Sequence, residues 1–213
     1  MVNREGLLFA LIIIIGALLV QNKYGLELAL PLWLIAAFVF YLFRDPEREI
    51  PSSPLAILSP ADGRVTDVSE VQDPFVDREA ICISINMSAL GIYTTRSPTE
   101  GKIMQRWFRS PQETNAPHKD IGIWIQTDEQ DDVVLALETT SILNAPKCYV
   151  HSGERIGQGR KCGYVRFGSK LKVYIPSNCK ISVEPGDSVT AGTSVLAHFI
   201  HDANTINEKL ISE

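Results

Sequence analysis

The chain has 213 residues, 45% of them hydrophobic, and a formal net charge of −5, enough for one sizeable core plus an apolar anchor. Such a balance offers no basic stripe to track a phosphate backbone, which excludes nucleic acid as the main partner. Cys82, Cys148, Cys162 and Cys179 are widely spaced; without the close pairs of a zinc site or the density of a disulfide scaffold they read as reduced thiols, and no metal centre is expected.

Residues 6–20 are uncharged and almost wholly aliphatic, and residues 28–43 form a second such run. Each is a little shorter than the ~20 residues that cross a bilayer, with flanking residues able to extend it, and together they predict two N-terminal transmembrane helices in a hairpin over residues 1–43. Arg4 precedes the first run and Arg44 and Arg48 follow the second, whereas the connection carries only Lys23 beside Glu27. That bias predicts a multi-pass protein of the cell membrane whose remaining domain faces the cytoplasm. Residues 44–54 hold three prolines and read as a juxtamembrane linker.

From residue 55 to 213 period two dominates. Strands are predicted over 63–71, 80–86, 102–108, 121–127, 133–138, 148–151, 164–167, 170–175, 180–184 and 194–199, most of them separated by Gly or Pro. Short helical pieces are expected over 111–120 and 202–210. This is a mainly β domain, a sandwich or partly closed barrel. The segments Ser59-Pro60-Ala61-Asp62-Gly63 and Glu184-Pro185-Gly186-Asp187 share a pattern that resembles turns of lipoyl- and biotinyl-type sandwiches.

Between two of the predicted strands stands Gly168-Ser169, in the context Arg166-Phe167-Gly168-Ser169-Lys170. On local sequence alone such a dipeptide is a turn or bulge. With Arg44-Asp45-Pro46-Glu47-Arg48, Ser59-Pro60-Ala61-Asp62-Gly63, and Met87-Ser88 through Arg96-Ser97-Pro98 in this order, the chain resembles the short, membrane-anchored branch of the phosphatidylserine decarboxylases. The resemblance runs from about residue 26 to about residue 198. It implies a lipoyl/biotinyl-like hybrid β-sandwich and self-cleavage between 168 and 169, with Ser169 converted to a pyruvoyl group. That carbonyl is the only cofactor implied, and phosphatidylserine in the membrane is the substrate. The two products, an upstream β chain and a downstream α chain, are expected to stay associated, because the strands after 170 are too few for a core of their own.

By the same resemblance Gly168 and Ser169 carry the cut, Asp62 assists it, and Tyr93 stands where short members have a His. Tyr93 donates a proton readily but is a poor base at neutral pH. Arg96 is a candidate for binding the headgroup phosphate or carboxylate. His118, His151, His198 and His201 read as surface residues. A second reading follows from Tyr93: a divergent relative that keeps the fold and the anchor but acts as a membrane-tethered binding or scaffold module.

Overall fold

A computed structural model of the chain describes residues 4–42, 48–88, 91–108, 121–138, 146–165 and 170–200, with the side chains of 4–9 and 42 left aside. Gly168, Ser169, His118, His201 and both short helices expected over 111–120 and 202–210 lie outside the described residues.

Two helices come first, α1 (Arg4–Tyr24) and α2 (Leu26–Leu42), packed side by side. Gly25 joins them, its N–H donated to the Gln21 carbonyl at 3.0 Å. The buried positions are small ones, Ala10, Ala17, Ala29 and Ala36, which lets two backbones approach closely. Trp33 Nε1 also donates to Gln21 Oε1 at 3.1 Å. Leu11, Ile12, Leu19, Leu34 and Phe38 are exposed on the outside of the pair.

The expectation of two transmembrane helices is corrected: among the described residues no helix is long and apolar enough to cross a membrane. The physical reason is length. α2 has 17 residues, about 26 Å at the α-helical rise against a hydrocarbon core of ~30 Å, and the apolar run inside α1 is shorter still.

The rest of the described chain is built of strands: β1 (Ala56–Leu58), β2 (Gly63–Gln72), β3 (Glu79–Met87), β4 (Thr94–Arg96), β5 (Gly101–Trp107), β6 (Ile121–Gln126), β7 (Asp132–Glu138), β8 (Lys147–Cys148), β9 (Arg155–Ile156), β10 (Lys161–Tyr164), β11 (Lys170–Pro176), β12 (Lys180–Ile181), β13 (Ser188–Val189) and β14 (Val195–His198). Eight of them form one antiparallel sheet in the order β13-β2-β3-β11-β7-β6-β5-β9, and two three-stranded sheets, β1-β14-β12 and β4-β10-β8, accompany it. The mainly β character is as the alternation predicts. In place of a lipoyl/biotinyl-like hybrid sandwich there is one wide sheet with two small ones against it.

Alternation explains how the wide sheet buries two faces. Ile81, Ile83 and Ile85 of β3, Val133, Leu135 and Leu137 of β7, and Leu171, Val173 and Ile175 of β11 point to the main core, where they join Ile57 of β1, Cys162 of β10 and Leu196 of β14. The intervening residues Ala80, Cys82, Val134, Ala136 and Tyr174 face the other way and form a smaller cluster with Phe75 and Trp124. Period-two side-chain direction makes both faces from the same strands.

Phe75, from the loop between β2 and β3, covers that second face. Its ring lies 5.3 Å from Trp107 and 6.0 Å, edge-on, from Tyr174. Gly122 makes the approach possible, since a Cβ there would lie 2.5 Å from the Phe75 ring. Phe75→Ala is expected to lower unfolding free energy by about 2–3 kcal/mol, less than for a fully buried ring. The urea midpoint in detergent measures it.

Candidate active site

Asp62 closes the Ser59-Pro60-Ala61-Asp62 segment, and that segment is fixed before its carboxylate is considered. Ser59 Oγ donates to the Ala61 carbonyl at 2.8 Å, and the Gly192 N–H donates to the Ser59 carbonyl at 2.7 Å. Arg64 of β2 pairs with Ser188 of β13. The two segments that share a turn pattern in the sequence are therefore neighbours in space.

The Asp62 carboxylate accepts four hydrogen bonds, two on each oxygen. Arg48 Nη1 and the Ala191 N–H donate to Oδ1 at 2.6 and 2.8 Å. Arg48 Nη2 and the Ile92 N–H donate to Oδ2 at 2.8 and 3.2 Å. Gly91 leaves room for this, because a Cβ there would come 2.9 Å from the Asp62 Cβ. Burial alone would raise the Asp62 pKa, but the Arg48 hydrogen bonds and charge and the two backbone N–H groups together hold it below the usual carboxylate range. Asp62 is thus ionised at neutral pH, with its lone pairs already engaged.

Tyr93 follows Ile92 directly. Its side chain is 3% exposed and packs edge-on against Tyr164 of β10, with centroids 6.2 Å apart and planes at 86°. Burial pushes the phenol pKa up, so the group stays protonated at neutral pH and is a weaker acid than a free phenol. Its backbone carbonyl accepts the Val165 N–H at 2.9 Å, which ties the end of β10 to the Tyr93 strand.

Val165 and Lys170 are the described residues on either side of Gly168 and Ser169. Lys170 pairs with Asn86 of β3 and with Glu138 of β7, and Asn86 in turn pairs with Arg64, two residues beyond Asp62. One end of the segment containing the dipeptide is therefore joined to Tyr93 and the other is in register with β3, which pairs with the strand that starts at Gly63, next to Asp62. Asp62 and Tyr93 are brought together, through the Ile92 N–H, from 31 residues apart in the numbering.

Arg96 is 5% exposed. Its Nη1 donates to the Gly159 carbonyl at 2.9 Å and its own N–H to the Pro60 carbonyl at 2.9 Å, so it ties β4 to the turn after β9 and to the Asp62 segment. The four cysteines are free thiols, and burial raises the Cys162 pKa to about 12. Sequence reasoning missed Arg48 as a partner of Asp62, having read it as a flanking charge and as the end of a family motif. It also missed Gly91, Ala191 and Tyr164, whose parts depend on contacts that no local spacing signals.

Among the described residues, then, a hydrogen-bonded Asp62 and a buried Tyr93 stand beside the strands that lead to and from residues 166–169. The family model for phosphatidylserine decarboxylase matches residues 35–197, and the chain belongs to that family. It is 40% identical over 205 residues to a phosphatidylserine decarboxylase proenzyme of Nitrosomonas europaea, covering 93% of this chain and 95% of the relative. It is 36% identical over 203 residues to one of Burkholderia cenocepacia, covering 92% and 95%. With one of Aromatoleum aromaticum the identity is 34% over 201 residues, covering 91% and 94%. No solved structure matches the chain significantly.

Proposed function

We propose that the chain is a proenzyme that cuts itself between Gly168 and Ser169 and then decarboxylates phosphatidylserine to phosphatidylethanolamine in phospholipid biosynthesis. The observation that carries this reading is the joining of Val165 to Tyr93 and of Lys170 to the strands beside Asp62, which gives the dipeptide between them the company that a self-processing site needs.

In the cut, Ser169 Oγ attacks the Gly168 carbonyl carbon. A C–O bond forms, the C–N bond breaks, and the hydroxyl proton passes to the freed nitrogen. Elimination then removes the Cα proton of residue 169, breaks Cβ–O and leaves Gly168 as a carboxylate, and water converts the remainder to a pyruvoyl group with loss of ammonia. Once formed from Ser169, the group would supply a carbonyl able to condense with the substrate amine and so provide an electron sink for decarboxylation. Tyr93 is the proposed proton donor, and the hydrogen bond that joins it to Val165 supports that part. Asp62 orients the Tyr93 turn through the Ile92 N–H. Arg96 remains the proposed headgroup contact, which requires exchange of its bond to Gly159.

Sheet order supports association of the two products. β11 lies between β3 and β7 with both edges paired, and β13 and β14 pair with β2 and β1, so the downstream chain is interleaved with the upstream one. The leucines and phenylalanine on the outside of the helical hairpin support seating it in one leaflet of the cell membrane without crossing it. The charge bias around it supports the cytoplasmic face, and a lipid headgroup would then be met where it lies.

Tyr93 also favours the second reading, a scaffold without decarboxylation, because this chain has a buried phenol where the resemblance implies a His. Intact mass tests the cut, and carbon dioxide release separates the two readings. We expect two chains, 1–168 and 169–213, the smaller beginning with pyruvoyl; one uncut chain would overturn the proposal. Asp62→Asn is expected to slow the cut at least tenfold by loosening the Tyr93 turn, read from the fragment ratio over time.

A further inference from the structure

We propose that Arg48 is a positioning residue for self-cleavage, holding the Asp62 carboxylate and, through it, the turns that carry Ile92 and Ala191. The inference rests on the self-cleavage reading above and adds a residue that enters from outside the β domain. Arg48 begins the described residues 48–55 ahead of β1, and these are laid down as a strap. Ile50 lies over Gly159, where a Cβ would be 2.8 Å away. Gln158 Nε2 donates to the Ser53 and Ala56 carbonyls at 3.3 and 2.5 Å. The strap delivers the guanidinium in a fixed direction.

The contact itself is stronger than a surface ion pair. Both Arg48 nitrogens engage both Asp62 oxygens, and the side chains are 15% and 18% exposed. Bidentate, shielded pairs combine charge with fixed geometry, whereas exposed pairs add little. Arg48 Nη1 also reaches the Ala191 carbonyl at 2.9 Å, so one side chain holds Asp62 and the turn that donates to Asp62 together. Among the described residues the groups bonded to the carboxylate are Arg48 from the strap, the Ile92 N–H from the turn after β3, and the Ala191 N–H from the turn before β14. Arg48 is the charged one among them.

Without Arg48 the carboxylate keeps two backbone donors and faces its burial with no cation. It then takes up a proton at higher pH, and the Ile92 and Ala191 turns lose their common anchor. Cleavage that is insensitive to mild acid in the wild type becomes slow and acid-sensitive. A guanidinium fork does this better than a single ammonium, so lysine is a partial replacement.

The test uses the full-length chain with Arg48→Gln and Arg48→Lys, following appearance of fragments 1–168 and 169–213 between about pH 5 and pH 8. Arg48→Gln is expected to cut roughly 10- to 100-fold more slowly at the acid end and to recover toward the alkaline end. Arg48→Lys should fall between it and a wild type whose rate is flat. Wild-type rate and profile in Arg48→Gln, or equal slowing of both variants at every pH, would overturn the proposal. A parallel cycle of Arg48→Gln, Asp62→Asn and the pair is melted in a Ser169→Ala chain, which cannot cut. Non-additive Tm losses are expected, and additive ones contradict the coupling. A wild-type chain that never cuts sinks the self-cleavage reading instead, while the melting cycle still decides whether Arg48 holds Asp62.

Discussion

Ser169→Ala is expected to leave a single chain of 213 residues where the wild type gives two, and to abolish carbon dioxide release with it. The substitution removes one hydroxyl and no packing volume that a fold depends on, so Tm should change little. Lys170, the next residue, stays paired on both sides by Asn86 and Glu138, which keeps β11 in register whether or not the cut occurs. The loss is complete in kind, since without the oxygen there is no ester and no carbonyl group to make. Processing of the alanine chain at the wild-type position would remove Ser169 from the account.

Tyr93→Phe tests the second step with the first left intact. The ring sits edge-on to Tyr164 in a buried site, and phenylalanine keeps that contact, so the change isolates the hydroxyl. Proton transfer by a positioned side chain is worth about 10² to 10⁴ in rate, and turnover on phosphatidylserine should fall by that range while the cut proceeds. Burial holds the Tyr93 pKa above its ordinary value, so no change in its ionisation enters between neutral and mildly alkaline pH, and the wild-type rate should show no alkaline loss there from this group. Tyr93→His should keep or raise turnover, because an imidazole exchanges protons near neutrality. If the chain is a scaffold, the wild type releases no carbon dioxide and Tyr93→His is the variant that gains activity. A silent Tyr93→Phe in an active enzyme would exclude the phenol from the mechanism.

The long strands were legible because each runs six residues or more, enough to show a β-type apolar pattern whether one face or two are buried: β2, β3, β5, β6, β7 and β11 follow the predicted runs closely. β1 and β4 were not, since each has three residues, all buried, and shows no period. β9 and β13 have two residues each, too few to show any period. The cost of missing β4 falls on the site, for β4 pairs with β10, the strand that leads to the Tyr93–Val165 hydrogen bond.

The helices show a different limit. Composition fixed their apolar character and their pairing as a hairpin, but whether a helix can cross a bilayer turns on a few residues of length, and there the transmembrane expectation failed. Asp62 and Tyr93 were legible only through the resemblance, since an Asp before Gly is an ordinary turn residue. The Arg48 clamp was invisible: it joins residues 14 apart to a backbone group 129 positions from Asp62, and nothing in a one-dimensional pattern marks such a contact.

Release of labelled carbon dioxide from carboxyl-labelled phosphatidylserine in mixed micelles tests the central claim most directly, run on the purified wild type beside Ser169→Ala. The account predicts sustained release by the cleaved wild type and none by the uncut variant. A fully cleaved wild type that releases no carbon dioxide, or an uncut Ser169→Ala chain that does, would contradict it.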